Sequence, residues 1–264
     1  MDLELQGKVA IVTGSSDGIG YATALALARE GTRTVICGRR EPLLAEARDK
    51  IARETGTELL TVPCDVQRLT DVQRLVRETM ERFGAIHILV NNAGSVPSMQ
   101  FTDVDDAQWH EMLEGKLLSY IRVTREIVPH MQKAGWGRII NIAGGGGRQP
   151  TATGMAVGVN NAAVINWTKS LSLQYAADGI LVTAIAPGKV DTPRQIRNRV
   201  RESEIRGITL EALQGEGVHD IPLKRIGRPE EVANVVVFLA SECSNYMTGT
   251  CVAVMEELRE QYDG

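Results

Sequence analysis

The stretch Val9–Gly20, reading V-A-I-V-T-G-S-S-D-G-I-G, constrains this chain more than any other. A β-branched run meets glycines at 14, 18 and 20 and passes directly into an alanine-rich helical pattern. A strand that turns sharply into a helix leaves unpaired N–H groups at the helix start, and these bind phosphate. Glycine is needed where a Cβ would block the turn or the approach of a ligand. The spacing is G-x3-G-x-G, not G-x-G-x-x-G, and many βα turns carry glycines for steric reasons alone. With this strand before them and this helix after them, they predict a nucleotide site.

The rest of the chain repeats the alternation. Strands are predicted at 8–13, 33–37, 58–63, 86–90, 137–142, 180–186 and 250–254. Helical patterns cover 18–30, 41–55, 70–83, 105–134, about 155–177 and 229–241. Strands separated by helices require a parallel sheet with right-handed crossovers. The expected fold class is therefore α/β, a parallel sheet in a single domain spanning 1–264. The polar, arginine-rich segment 191–219 follows the C-terminal end of a strand, where open α/β sheets bind ligands. It reads either as a solvated excursion or as a substrate lid.

Composition narrows the partners. A formal charge of -4 and a pI near 5.7 argue against a nucleic-acid surface or an anionic membrane. No apolar run approaches the length that spans a bilayer, and Met1–Lys8 lacks the apolar core of a signal peptide. The cysteines (37, 64, 243, 251) and histidines (87, 110, 130, 219) are scattered, which suits reduced thiols and no metal site. A cytoplasmic, metal-free protein is expected.

Several motifs together resemble the classical short-chain dehydrogenases/reductases. They are T-G-x3-G-I-G at 13–20, Asp65-Val66, Asn91-Asn92-Ala93-Gly94, Pro187-Gly188 and R-I-G-R-P-E-E-V-A at 225–233, with F-L-A-S at 238–241 and T-G at 248–249. The likeness covers about residues 5–254. It implies a fold that is α/β, a doubly wound Rossmann-like parallel sheet, with a nicotinamide cofactor, a small-molecule substrate and usually a homo-oligomer, a dimer or a tetramer. It further implies that Gly14, Ser16, Asp17 and Ile19 line the pyrophosphate and ribose, and that Asp65 and Val66 flank the adenine. Asn91, Ala93 and Gly94 would support the central chain, and Val190 with Thr192, just after Pro187 and Gly188, would meet the carboxamide. An acidic residue ending the second strand would bond the ribose 2′-OH of NAD. This chain has Gly38 there, followed by Arg39 and Arg40, and a guanidinium favours a 2′-phosphate. NADP(H) is expected over NAD(H).

The same resemblance implies a serine, a tyrosine, a lysine four residues after it and an asparagine on the preceding long helix. Aligned on G-R-I-I-N-I at 137–142, N-A-A-V at 161–164, Pro187-Gly188, Trp109 and Pro129, those positions hold Gly144, Val157, Asn161 and Lys116. No tyrosine occurs between Tyr120 and Tyr175, and no serine between Ser119 and Ser170. Valine and glycine exchange no protons, so the customary relay is unavailable. Lysine and asparagine look exchanged, which nominates Lys116 as a cation at the substrate oxygen with Asn161 as its hydrogen-bonding partner. The bland reading is a surface lysine on an amphipathic helix. Tyr120, Thr151 and Thr153 are lesser proton-donor candidates, and Lys189 either reaches substrate or is solvated.

The C-terminus departs as well, reading Met255-Glu256-Glu257 where the family carries an Asp-Gly-Gly turn. Three readings follow. One is an atypical NADP(H)-dependent oxidoreductase acting on a small carbonyl, alcohol or activated alkene. The others are a non-redox enzyme (lyase, isomerase or hydrolase) and an inactive nicotinamide-nucleotide-binding protein.

Overall fold

The aliphatic runs form parallel strands, and those at the centre of the sheet are buried on both faces. In the computed structural model these are β1 (Val9–Thr13), β2 (Arg33–Gly38), β3 (Leu60–Pro63), β4 (Ile88–Asn91), β5 (Gly137–Ile142), β6 (Ile180–Pro187) and β7 (Cys251–Val254). The structure describes residues 2–94, 96, 101–150, 154–211 and 221–254. Thr151, Thr153, the tail from Met255 onward and residues 212–220, most of them in the predicted lid segment, lie outside the described residues. The strands make one 7-stranded sheet in the order β3-β2-β1-β4-β5-β6-β7, with parallel pairing throughout.

Alternate residues of each strand serve opposite cores. In β1, Ala10 and Val12 pack toward α1 (Gly18–Arg29), α2 (Glu41–Thr55) and α8 (Pro229–Ala240), whereas Val9 and Ile11 face the other way. There they meet α3 (Leu69–Phe83), α5 (Ser119–Ala134) and α6 (Met155–Tyr175). Burying such an aliphatic side chain contributes about 1.5–3 kcal/mol, so a one-residue slip in register is strongly disfavoured. The chain runs from β1 outward to β3, then returns to place β4 on the far side of β1. That reversal opens a crevice at the C-terminal ends of β1 and β4. No helix among the described residues is long and apolar enough to cross a membrane.

Two elements differ from the sequence expectation. The helix expected over 105–134 is α4 (Asp106–Leu113), a π-helical turn (Glu114–Leu118) and then α5. The Ser119 hydroxyl donates to the Glu114 carbonyl at 2.6 Å, five residues back, and so draws that carbonyl out of the α-helical ladder. The segment after β6 carries a helix, α7 (Pro193–Arg206). Thr192 caps it by accepting from the Gln195 N–H at 3.3 Å, Pro193 sets the first turn, and Gly207 at φ +63 ends it.

Candidate active site

The turn after β1 is closed so tightly that side chains are excluded from it. A Cβ on Gly14, where φ is +64, would lie 2.8 Å from the Ala93 Cα. One on Gly20 would lie 2.3 Å from the Gly14 carbonyl oxygen. Ser15 is buried and structural: its hydroxyl donates to the Val12 carbonyl at 2.8 Å and accepts from the Cys37 N–H at 3.0 Å. Asp17 precedes α1 without capping it, so the first N–H groups of the helix keep their capacity for an anion.

Thr13 and Asn92 fasten the ends of β1 and β4 together. The Thr13 hydroxyl accepts from the N–H groups of Asn92 and Ala93 at 2.9 and 3.0 Å. The Asn92 amide donates to the carbonyls of Thr13 and Gly14 at 2.9 and 3.1 Å. The sequence alone does not single out Asn92, although its doublet with Asn91 is visible there. Asn91 itself is fully buried and donates to Thr124 at 3.0 Å and Asn141 at 2.9 Å. The other cofactor residues named above, together with Lys116 and Asn161, line one cleft of about 1790 Å³; Asn91 does not. Its place is inside the sheet, beneath that cleft.

At one end of the cleft Gly38 would accept a Cβ without a clash, its nearest neighbour, Leu44, lying in ordinary contact at 3.8 Å. Arg39 lines this end, while Arg40 turns back to Ser16 at 3.2 Å and Asp17 at 2.8 Å. The Asp65 carboxylate accepts from the Gln67 N–H at 3.1 Å, and the Val66 carbonyl from Arg122 at 3.2 Å. Across the cleft, Val190 bridges to Gly227, and Thr192 sits against Gly18, a Cβ on which would meet its methyl at 3.3 Å.

The other end is built around the tip of β5. The π-helical turn points Lys116 inward, and its Nζ donates to the Ala143 carbonyl. Burial, followed by the nearby Arg194 guanidinium, lowers the Lys116 pKa to about 7. Asn161 reaches the adjacent residue from α6: a Cβ on Gly144 would lie 2.8 Å from its Nδ2, and its Oδ1 is buried without a partner. Lys116 and Asn161 therefore flank consecutive residues, 143 and 144. Tyr120 is not a proton donor to this space. The residue is 1 % exposed, its hydroxyl donates to the Ile142 carbonyl at 3.0 Å, and burial raises its pKa. Val157 and a run of glycines, 144–146, complete the wall and floor. Among the described residues no group of three or more histidine, cysteine, aspartate or glutamate residues could hold a metal ion.

Comparison with known proteins places this geometry in context. The family model described as Enoyl-(Acyl carrier protein) reductase matches residues 14–255. The chain is 34% identical over 254 residues to a 3-oxoacyl-(acyl-carrier-protein) reductase of Aquifex aeolicus, covering 96% of this chain and 98% of that one. It superposes on L-sorbose reductase from Gluconobacter frateurii, solved with NADPH and L-sorbose, with a TM-score of 0.95 and 32% identity over 99% of this chain and 100% of the other. It also resembles an NAD+-bound xylitol dehydrogenase, with a TM-score of 0.89 and 28% identity over 96% of this chain and 100% of the other.

Proposed function

The chain belongs to the classical short-chain dehydrogenase/reductase family, and from that premise we propose that it is an NADP(H)-dependent oxidoreductase with a rebuilt proton relay. Its substrate would be a small carbonyl compound, alcohol or activated alkene. The observation that carries this reading is Lys116, a cation drawn into the cleft beside the end of β5 with its pKa moved to about 7.

The residues present fit a dinucleotide. The glycine turn is a cradle that a Cβ would fill, the α1 N–H groups suit a pyrophosphate, and Gly38 with Arg39 leaves room and charge for a 2′-phosphate. Asp65, Val66, Ala93, Gly94, Val190 and Thr192 would bound the remainder. When bound, the nicotinamide supplies or takes up hydride. Lys116 would donate a hydrogen bond from Nζ to the substrate oxygen, give it a proton as negative charge develops, and regain one from water in the cleft. A group titrating near neutrality is suited to both directions. Asn161 Oδ1, an acceptor without a donor, would receive the hydroxyl of a bound alcohol or ribose. Val157 would present an apolar wall that limits water.

A second reading, a nucleotide-binding protein without turnover, draws on Tyr120. Its hydroxyl is committed to the Ile142 carbonyl, and the positions aligned with the customary serine and tyrosine are Gly144 and Val157. The two readings separate on one experiment: NADPH oxidation followed by absorbance over a panel of ketones, aldehydes and enones, with wild type and Lys116→Met. The first reading expects turnover that falls by about two to four orders of magnitude in the variant while NADPH affinity holds. Turnover equal in both proteins would remove Lys116 from the mechanism, and binding without turnover would favour the second reading.

A further inference from the structure

The chain as a whole is acidic, with 33 Asp and Glu against 29 Lys and Arg, yet the lining of the cleft is basic. Among the described residues nine lysines and arginines line it, including Lys116, Arg148, Lys189, Arg194 and Arg197, against four acids, Asp17, Asp65, Glu111 and Glu231. Two of these acids are already engaged by arginines. Asp17 pairs with Arg40 at 2.8 Å, and Glu231 holds Arg225 at both oxygens, at 2.6 and 2.8 Å. Lys116 meets a neutral carbonyl, that of Ala143, and feels the charge of a second cation, Arg194. A charge withdrawn from water is ordinarily paired. Here the neighbouring charge is a second cation, the exposed Arg194, which lines the same cleft. Asn161, 3 % exposed, adds an unpartnered acceptor to the same wall.

We propose that the substrate is a carbonyl compound bearing an anionic group, a carboxylate or a phosphate, with the anion held by Arg194 and the carbonyl oxygen facing Lys116. The proposal rests on the oxidoreductase reading above and narrows its substrate class. The anion would cancel the repulsion that Arg194 exerts on Lys116, so binding would draw a proton onto Nζ before the oxygen needs it. Charge would then select the substrate as well as hold it.

Two matched pairs test this: acetoacetate against methyl acetoacetate, and dihydroxyacetone phosphate against dihydroxyacetone. Each is titrated calorimetrically into protein saturated with NADP+, and again into cofactor-free protein, at low and high salt. In at least one pair the charged member is expected to bind about tenfold or more tightly, with the preference shrinking at high salt. The winning pair distinguishes carboxylate from phosphate. Arg194→Gln should cut the preference to about twofold. At pH 7, titrations in buffers of different ionisation enthalpy should show uptake of about half a proton in wild type, and none in Lys116→Met.

Equal binding of charged and neutral members in both pairs would overturn the proposal. So would an Arg194→Gln variant that loses NADPH affinity and keeps the anion preference, because Arg194 would then serve the cofactor pyrophosphate. Failure of NADP(H) to bind would sink the oxidoreductase reading instead, and the cofactor-free titrations would still report the anion preference.

Discussion

Replacing Lys116 by methionine should change how stability responds to pH. In the folded protein burial and Arg194 bring this lysine from its ordinary 10.5 down to about 7. Below about pH 7 both folded and unfolded chains carry the proton, and the cost of burying it is fully in place. Between about pH 7 and 10.5 the unfolded chain holds the proton and the folded chain does not, so stability rises with pH across that window. The full shift corresponds to about 5 kcal/mol, of which about 2 kcal/mol is recovered between about pH 7 and pH 9. Methionine keeps most of the length of the side chain and removes the titration. It also leaves the Ala143 carbonyl without its donor, but that loss is the same at every pH. Urea denaturation of both proteins at pH 7, 8 and 9 isolates the effect. The stability of wild type relative to the variant should improve by about 2 kcal/mol over this range. Parallel stability curves would refute the reasoning, because they would mean that Lys116 titrates in the folded state as it does in the unfolded chain.

Four further outcomes follow from the cleft. Gly20→Ala places a methyl 2.3 Å from the Gly14 carbonyl oxygen; it should cost about 2–4 kcal/mol in denaturation and abolish measurable NADPH binding by calorimetry. Arg39→Gln should weaken NADPH about tenfold and leave NADH unchanged, whereas Asp17→Asn, which releases Arg40, should tighten NADPH about threefold; both are read by fluorescence titration of the reduced cofactors. Gly144→Ser sets a side chain at φ +127 and drives it to 2.8 Å from Asn161 Nδ2. It should destabilise by about 1–3 kcal/mol and give no gain in turnover, even though it supplies the hydroxyl that family members carry.

The sheet was legible because its evidence is local and repeated. The central strands are apolar runs buried in the sheet and alternate with helical patterns along the chain, so hydrophobic periodicity predicts a parallel sheet, while the doubly wound arrangement around the crevice is what the family resemblance implies. The glycines at 14, 18 and 20 were legible for a similar reason, since a turn that admits no Cβ advertises itself. The π-helical turn at 114–118 was not. It depends on one hydroxyl, Ser119, reaching the Glu114 carbonyl, and an apolar stripe reads the same with or without it. The start of α7 did have a signature, Thr192 followed by Pro193, but the density of arginines after it suggested a solvated strand-end excursion. Asn91 and Asn92 show the limit most clearly. Adjacent and identical, they point to opposite sides of the strand end, one into the sheet and one to the cleft. Only strand pairing decides which is which. Engagement of Arg40 by Asp17 was equally hidden, because the partners are 23 residues apart in sequence.

The most direct measurement of the central claim is a calorimetric titration of cofactor-free protein with NADPH and with NADH under identical conditions. The account predicts saturable binding of NADPH, tighter than that of NADH by about tenfold or more, and lost in Gly20→Ala. Absence of heat with either nucleotide, or tighter binding of NADH, would contradict it.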